Sequence, residues 1–327
     1  MLQSLPPMPT FLPLRTFGKT PLRVTPLCIG CAPLGNMPEE FAYEVAQEQA
    51  LVTLRACFLS PINFLDTAAA YGNGESERRI GLVLRELGGL PAGYILATKA
   101  DRDLNNGDFS GDQIKRSVER SLKLLGLDKI QIMYLHDPEH GRFEDIMFPG
   151  GATDALVKFK EQGVIGHLGI AGGPVDLMIR YIETGAFEAV ITHNRYTLLN
   201  RCAGPLLDQA AKMGVAVMNA APYGSGILAK GPDAHPRYAY QLADAATLAR
   251  VRKMDAICKS CNVPLAAAAL QLSMCDPRIT STIVGLSRVE RLTQTIDLAH
   301  TPIPNELWPQ LDAVGYSMDD PEAKRWK

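Results

Sequence analysis

Four residues that can exchange or stabilise a proton each follow a short apolar run in this sequence. Asp66 and Tyr71 belong to the stretch DTAAAYGNGESERR, which begins directly after the apolar run 61–65. Lys99 ends the run LATK, and His136 ends the run YLH. A phenol has a pKa of about 10, so it exchanges protons poorly at neutral pH unless a neighbouring group stabilises its anion.

Together these side chains could transfer a proton to or from an oxygen atom. An ammonium such as that of Lys99 lowers the pKa of a nearby phenol, and a carboxylate such as Asp66 keeps the ammonium charged and in place. A neutral imidazole, here His136, can hydrogen-bond the reacting oxygen and orient it. We therefore expect Tyr71 to exchange a proton with an alcohol or carbonyl, while a cofactor carries the hydride.

The elements that must position these residues form a repeating pattern. Short apolar runs recur, and each is followed by a polar or glycine break and then by a helical pattern. Apolar runs without alternation indicate parallel strands that are buried on both faces of a sheet. The predicted strands are 26–30, 61–65, 93–97, 130–135, 165–170, 189–192, 214–218 and 280–284. The predicted helices are 44–59, 75–87, 112–125, 155–162, 175–184, 205–213, 244–259, 264–274 and 288–298.

This alternation predicts an α/β protein with one (β/α)8 TIM barrel over residues 14–327, because no shift in composition divides the chain. Residues 14–25 predict a β-hairpin before the first barrel strand. Residues 1–13 contain four prolines and are expected to form an extended tail. The carboxyl ends of barrel strands meet at one mouth, so the residues that end strands two, three and four should converge there.

The alternative fold is an open, doubly wound sheet that binds a dinucleotide. The run GSGILA at 224–229 fits the fingerprint G-x-G-x-x-A after a predicted strand. The next residues, KGP at 230–232, cannot continue the helix that this fingerprint requires. The barrel is therefore the favoured fold.

Composition excludes several classes of protein. The chain has 327 residues, of which 46% are apolar and 21% charged, and its net charge is −2. This balance gives no reason to expect a nucleic-acid or membrane-surface partner. No apolar run approaches the roughly 18 residues of a membrane helix. The seven cysteines, without an export signal, predict reduced thiols and a cytoplasmic location.

Two groups of residues have spacings that suit a metal site, and neither favours one. Cys28/Cys31 and Cys258/Cys261 have C-x-x-C spacing and could supply four zinc ligands, but the pairs are more than 200 residues apart. Buried packing residues are the preferred interpretation of such thiols. His136 and His140 are four residues apart, but a proline between them excludes a regular helix, so no metal site is predicted.

The stretch 65–81 resembles the strand-two signature of the aldo-keto reductase family. That signature is a Phe-Asp-Thr-Ala/Ser-x-x-Tyr-Gly run followed by Ser-Glu and a glycine, and Leu65 stands in the place of the Phe. The resemblance covers about 14–298 and implies that the four residues above form the family's catalytic tetrad. Tyr71 would then be the proton donor and acceptor, and His136 would orient the substrate oxygen. The resemblance also implies a nicotinamide cofactor.

Three shorter sequence segments are most similar to the aldose dehydrogenases of that family: APLGN at 32–36, NRYTLL at 194–199 and PYGSGIL at 222–228. These relatives oxidise the anomeric hydroxyl of sugars such as L-fucose, L-galactose or D-arabinose, and related members oxidise pyridoxal. The resemblance thus implies a small sugar or aldehyde substrate. Two alternatives remain: a general aldehyde or ketone reductase, and a non-catalytic regulatory subunit that binds nicotinamide cofactor. The sequence predicts no particular oligomeric state.

Positions that hold the cofactor in the family carry unusual residues in this chain. The family's Ser and Asn after strand five fall at Ala171 and Gly172, and its Gln after strand six falls at His193, with Asn194 beside it. The aromatic residue that stacks on nicotinamide falls at Ala220, so Tyr223 is expected to replace it.

The cofactor contacts that the resemblance implies are Ala171, Gly172, His193, Asn194, Tyr223, Ser225, Gly226, Leu228, Gly285 and Arg291. Relatives that prefer NADP carry a Lys and then a Ser after strand eight, and these fall at Gly285 and Leu286. Losing a cation and a hydroxyl near a phosphate weakens its binding. Either NAD or NADP is therefore expected as the cofactor, with NAD used at least as well as NADP.

Overall fold

The computed structural model describes residues 12–323, and these begin with a β-hairpin, strands β1 (Arg15–Thr16) and β2 (Arg23–Val24). The hairpin lies where the sequence predicts it, at the N-terminal end of the barrel. Phe17 in its loop is fully buried and packs edge-on against Phe64, with ring centroids 6.0 Å apart. The predicted tail 1–13 lies, except for its last two residues, outside the described residues.

Eight parallel strands form a closed barrel, which confirms the predicted (β/α)8 fold. Their order around the barrel is the chain order, with the last strand pairing with the first. These strands are β3 (Leu27–Gly30), β4 (Phe64–Asp66), β5 (Ile95–Ala100), β6 (Ile130–His136), β7 (Ile165–Ala171), β8 (Ala189–His193), β9 (Ala216–Ala220) and β12 (Ser281–Gly285). A separate short hairpin, formed by β10 (Arg237–Tyr238) and β11 (Gln241–Leu242), comes between β9 and β12 in the chain.

Helices cover the outside of the barrel and fill the connections between its strands. They are α1 (Pro38–Phe41), α2 (Gln47–Phe58), α3 (Glu75–Leu87), α4 (Gly111–Leu125), α5 (Phe143–Met147), α6 (Ala152–Glu161), α7 (Val175–Glu183), α8 (Gly204–Met213), α9 (Ile227–Lys230), α10 (Ala245–Ser260), α11 (Leu265–Met274), α12 (Val289–His300) and α13 (Leu307–Val314). The side chain of Ser110 caps α4 by accepting the Gln113 N–H.

Three predicted strands, 61–65, 93–97 and 214–218, begin two or three residues too early. The run 61–65 becomes a strand only from Phe64, because Asn63 instead uses its side chain to bond the Thr25 N–H and the Gly93 carbonyl. The run 214–218 starts too early, because Gly214 adopts a left-handed conformation (φ 66°) that ends α8. The short helices α1, α5, α9 and α13 were not predicted, since so few residues show little periodicity.

The closed lower end of the barrel leaves its upper end as the place for a site. A cluster of buried side chains, including Cys28, Ile132 and Met218, fills the barrel above Phe17. All seven cysteines are free thiols, and within residues 12–323 no group of three His, Cys, Asp or Glu side chains is arranged to hold a metal ion. No helix in that range has the length and apolar character of a membrane span.

Candidate active site

The four predicted catalytic residues meet at the upper end of the barrel. The Lys99 Nζ on β5 donates to the Asp66 Oδ2 at the end of β4 at 2.6 Å and to the Tyr71 Oη at 3.2 Å. It also donates to the Thr67 carbonyl at 2.8 Å, which accounts for its three protons. Asp66 and Lys99 are almost completely buried. One ammonium therefore joins the carboxylate to the phenol, as the sequence predicts.

The chain after β4 follows the edge of β5, and this places Tyr71 over the barrel. The Thr67 N–H donates to the Ala97 carbonyl, and the Ala69 N–H donates to the Lys99 carbonyl. The chain then changes direction at Gly72, whose φ of 59° is left-handed. The small residues of the segment thus let the backbone lie against β5 before the phenol projects into the mouth.

Burial and neighbouring charges shift the pKa values of Lys99 and Tyr71 in opposite directions. Burial lowers the pKa of Lys99, but attraction to Asp66 and to Tyr71 outweighs burial, so the pKa is raised and the amine stays charged. Burial raises the pKa of Tyr71 to about 12, although Lys99 pulls it down. The expectation that Lys99 brings the pKa of Tyr71 below that of a free phenol is therefore wrong for this structure, because the cost of desolvating the phenolate outweighs its attraction to the ammonium.

His136 at the end of β6 completes the set, and its ring lies edge-on to that of Tyr71 with centroids 5.9 Å apart. Its Nδ1 is 2.6 Å from the Asp101 Oδ1, and its Nε2 is 3.6 Å from the Asp137 Oδ1. Burial lowers the pKa of His136, but the two carboxylates outweigh burial and raise it to about 9. The expectation of a neutral imidazole is corrected: His136 carries a positive charge at neutral pH.

A cavity of about 830 Å3 extends from the four predicted catalytic residues to the start of α12. Eight of the ten predicted cofactor contacts line it: Ala171, Gly172, His193, Tyr223, Ser225, Gly226, Gly285 and Arg291. The other two do not. Asn194 is fully buried and donates from Nδ2 to the Glu322 Oε1 at 3.0 Å, and Leu228 packs in the hydrophobic core. Both are therefore positioned as structural residues beneath the cavity wall.

The sequence did not identify Asp101, Asp137 or Glu322, and all three contact the predicted site. Asp101 follows Lys99 by two residues, so the alternation of side chains along a strand could have indicated it. Asp137 adopts a left-handed conformation with φ 45°, which is uncommon for a residue other than glycine. Its carboxylate enters the cavity beside His136.

Glu322 comes from the C-terminal segment and could not be placed from sequence. It is fully buried, lies 3.1 Å from the His193 Nε2, and accepts a hydrogen bond from the buried Arg195 at 3.3 Å. Asp320 binds the other terminal nitrogen of that guanidinium at 2.7 Å. The segment thus reaches the wall of the cavity through ion pairs.

The far end of the cavity is basic. Lys230, Arg288 and Arg291 line it, and burial together with repulsion by the two arginines lowers the pKa of Lys230. Three cations near the start of a helix suit phosphate groups. A nicotinamide cofactor combines phosphates with a reactive ring, so the basic end and the catalytic end together fit that group.

Comparisons with known proteins agree with this geometry. Residues 26–315 match the model of the aldo/keto reductase family. The chain belongs to that family. It is 32% identical to L-galactose dehydrogenase of Arabidopsis thaliana over 292 residues, which cover 88% of each chain. It is 31% identical to D-threo-aldose 1-dehydrogenase of a Pseudomonas species over 314 residues, covering 89% of this chain and 94% of that one.

A solved structure supports the fold of this aldo/keto reductase. The holo form of an aldo-keto reductase from Bacillus halodurans superimposes with a TM-score of 0.78, covering 96% of this chain and all of that one at 22% identity. The family's redox chemistry uses a nicotinamide cofactor. Since the chain belongs to a family of dehydrogenases and reductases, it is an oxidoreductase.

Proposed function

We propose that this aldo/keto reductase is an NAD(P)-dependent aldose 1-dehydrogenase, which transfers hydride between nicotinamide and the anomeric carbon of a sugar or of a related hemiacetal such as that of pyridoxal. The observation that carries the proposal is the Lys99 ammonium, which bonds both Asp66 and Tyr71 at one end of a long cavity. The chemistry of this set is proton exchange with an oxygen atom.

The cavity wall beside Tyr71 supports a polyhydroxylated substrate. Asp137, His193 and Arg237 line the cavity and supply both acceptors and donors of hydrogen bonds. These groups are half-buried, and they favour a substrate whose hydroxyls satisfy them, because a bound substrate without those hydroxyls leaves them unpaired. The names of the two dehydrogenase relatives, which specify L-galactose and a D-threo-aldose, support the same class.

In oxidation, each catalytic residue has a distinct role. Tyr71 takes the proton from the anomeric hydroxyl, and Lys99 stabilises the phenolate on which this depends. Asp66 holds the ammonium in place, and His136 binds the reacting oxygen from its own side of the mouth. A bound nicotinamide supplies the hydride chemistry. Lys230, Arg288 and Arg291 would hold its phosphates, and Tyr223 lines the cavity that would enclose it.

A second candidate is a general aldehyde or ketone reductase. It is favoured by the protonation of the site, because the pKa of Tyr71 is raised to about 12 and that of His136 to about 9. Both groups therefore carry a proton at neutral pH, as a donor to a carbonyl oxygen must. A non-catalytic regulatory subunit is the third candidate, and it would bind cofactor without turnover.

A substrate panel separates the three candidates. Purified enzyme would be mixed with NAD or NADP and a set of aldoses or pyridoxal, and with reduced cofactor and simple aldehydes or ketones, while nicotinamide absorbance is followed. We expect oxidation of at least one aldose at a kcat/KM above that for reduction of any simple carbonyl. The reverse ranking would favour the reductase, and cofactor fluorescence changes without turnover would favour the regulatory subunit.

The preferred cofactor is proposed to be NAD, used at least as well as NADP. Gly285 lines the cavity at the position where NADP-dependent relatives carry a Lys. The Leu286 side chain, at the position of their Ser, is buried. The three basic residues nearby suit the pyrophosphate that both cofactors share, so they do not by themselves select NADP.

Exchanging Gly285 tests the cofactor proposal. We expect Gly285→Lys to shift the ratio of kcat/KM for NADP over NAD upward by about tenfold to a hundredfold, since one charge-assisted hydrogen bond contributes about 1.5–3 kcal/mol. Steady-state kinetics with both cofactors measure the ratio. A wild-type preference for NADP of about a hundredfold would contradict the proposal. A cytoplasmic location is also proposed, which the seven free thiols support and which cell fractionation would test.

A further inference from the structure

A buried carboxylate outside the catalytic tetrad contacts His136. The Asp101 Oδ1 lies 2.6 Å from the His136 Nδ1. The other oxygen, Oδ2, accepts the Ala70 N–H at 2.8 Å, from the segment that leads to Tyr71. The main chain of Asp101 is held as well, because its N–H donates to the Ser117 Oγ at 3.0 Å. Asp101 thus contacts three segments of the chain, and each of its two carboxylate oxygens has a hydrogen-bond partner.

This arrangement determines which ring nitrogen of His136 carries a proton. A carboxylate accepts hydrogen bonds and does not donate them, so Nδ1 must carry a hydrogen to bond Asp101. When the imidazole is neutral, Nε2 is then bare and can only accept a hydrogen bond. When the imidazole is protonated, Nε2 also carries a hydrogen and can donate it.

We propose that Asp101 is a positioning residue that fixes the tautomer of His136, so that its Nε2 binds a substrate carbonyl as a donor and a substrate hydroxyl as an acceptor. This rests on the proposed function, in which one site handles both oxidation states of the reacting oxygen. Protonation of His136 then changes which of the two it recognises.

The charged groups around His136 set the pH at which its ring loses a proton. Burial favours the neutral ring, but two carboxylates against one ammonium outweigh burial and raise the pKa of His136 to about 9. The groups that face the ring are Lys99, Asp101, Tyr71 and Asp137, and those that act on Asp137 in turn are Arg102, His140 and His193.

An Asp101→Asn variant should reverse the tautomer. An amide has one acceptor oxygen and one donor nitrogen, and the Ala70 N–H can only donate. The amide oxygen must therefore face Ala70, which turns the NH2 group toward the His136 Nδ1. Nδ1 must then accept, so the proton of the neutral ring moves to Nε2.

Nuclear magnetic resonance of protein with 15N-labelled histidine tests this without any assay of activity. The His136 signals would be assigned by their loss in His136→Gln and recorded at pH values up to about 10. We expect Nδ1–H in the neutral ring of the wild type, with a titration midpoint of about 9. In Asp101→Asn we expect Nε2–H and a midpoint at or below the ordinary value of about 6.5.

The matched control is Asp103→Asn. Asp103 lies two residues further along, and its carboxylate oxygen accepts the N–H of Asn105 in its own turn. This variant should keep the wild-type tautomer and midpoint. Finding Nε2–H in the neutral ring of the wild-type enzyme would overturn the proposal, even if Asp101→Asn did not fold. The same tautomer in the wild type and in folded Asp101→Asn would overturn it too.

Kinetics test whether the tautomer matters to the substrate. For carbonyl reduction, wild-type kcat/KM should fall above pH of about 9, as Nε2 loses its hydrogen. In Asp101→Asn this limb should vanish, because the neutral ring keeps Nε2–H. Above a pH of about 9, where the wild-type Nε2 is bare and can accept the substrate hydroxyl, KM for the alcohol should be higher in Asp101→Asn than in the wild type. A limb that stays at pH 9 after the tautomer has reversed would overturn the proposal. If no substrate in the panel reacts, the proposed function fails, whereas the tautomer experiment still decides the role of Asp101.

Discussion

The acid and base properties of the site arise from individual residues whose burial competes with their neighbours' charges. Lys99 keeps its charge in a dry environment because Asp66 lies 2.6 Å away. Tyr71 remains a phenol because desolvation outweighs the ammonium. Reduction can use that proton directly at neutral pH, whereas oxidation must first remove it, so we expect oxidation to become faster as the pH rises toward 12.

Removing the Tyr71 hydroxyl should abolish most of the activity. We expect Tyr71→Phe to lower kcat by about two to four orders of magnitude, because the variant loses its proton donor and acceptor. Cofactor affinity, measured by fluorescence titration, should change little. The matched control is Tyr94→Phe, which removes a buried hydroxyl in the core, away from the cavity, and should leave kcat unchanged. Wild-type turnover in Tyr71→Phe would remove Tyr71 from the mechanism.

Removing the Lys99 ammonium should affect both stability and pH dependence. Lys99→Met leaves Asp66 buried without its cation, which costs about 3–5 kcal/mol, and Asp66→Asn in the same chain should recover part of this. Because Lys99 lowers the pKa of Tyr71, its loss should move the alkaline limb of oxidation upward. Urea unfolding and pH–rate profiles measure the two effects. The exposed Lys123→Met serves as control, and an unchanged profile in Lys99→Met would contradict the assignment.

At the scale of elements, two connections of the barrel meet backbone to backbone. A Cβ atom added to Gly72, in the connection after β4, would overlap the carbonyl oxygen of Gly35, in the connection after β3. A Cβ atom on Gly35 would lie 2.9 Å from the carbonyl group of Tyr71. The position of the phenol therefore depends on two glycines that have no chemistry of their own.

A glycine-to-alanine pair tests this dependence. Gly72→Ala should displace Tyr71 and lower kcat by about a hundredfold, the effect expected of a misplacement of about 1 Å. Gly88→Ala is the matched control: its φ of 75° is also left-handed, but apart from its own neighbours in the chain no heavy atom of the described residues lies within 4 Å of its Cβ position. The control should lose about 1 kcal/mol of stability and keep its kcat. Equal kcat in the two variants would show that the contact does not position Tyr71.

At the scale of the whole molecule, the C-terminal segment is bonded to the middle of the chain. Glu322 accepts a hydrogen bond from Asn194, 128 positions earlier, and the Asn200 side chain donates to the Asp319 carbonyl. Arg195 is fully buried and forms ion pairs with Asp320 and Glu322. The segment therefore contributes to the stability of the barrel as well as to the wall of the cavity.

The acid stability of the protein should depend on Glu322. Burial raises its pKa, but His193, Asn194 and Arg195 outweigh burial and lower it to about 2. A lowered pKa stabilises the fold above the ordinary glutamate value, and this contribution disappears as the pH falls from about 4.5 toward 2. It amounts to about 3 kcal/mol for a shift of this size. Unfolding by urea between pH 2 and pH 7 should show a smaller pH dependence for Glu322→Gln than for wild type.

The control for this experiment is Glu119→Gln, on the exposed face of α4, which should reproduce the wild-type curve. Glu188 and Asp276, whose pKa values are also lowered to about 2, stay in both variants and contribute equally to both curves. If Glu322→Gln shows the same pH dependence as wild type, its ion pairs do not contribute to acid stability.

Sequence patterns alone were enough to predict the barrel and to select the four candidate catalytic residues. Unbroken apolar runs followed by helical patterns indicate parallel strands, and a barrel brings the ends of neighbouring strands together, so Asp66, Lys99 and His136 could be placed before any coordinates were known. Both inferences depend on local patterns. The strand boundaries were less predictable where a side chain such as that of Asn63 makes hydrogen bonds to the main chain of neighbouring segments.

The charge state of the site and the composition of its walls became clear only from the folded structure. The pKa values of Tyr71 and His136 depend on how completely each ring is removed from water and on carboxylates from other segments, which sequence spacing does not measure. Asn194 looked like a cofactor ligand beside His193, yet it turns to bond Glu322 from the other end of the chain. Such contacts exist only after the chain has closed on itself, because they join residues that no local pattern relates.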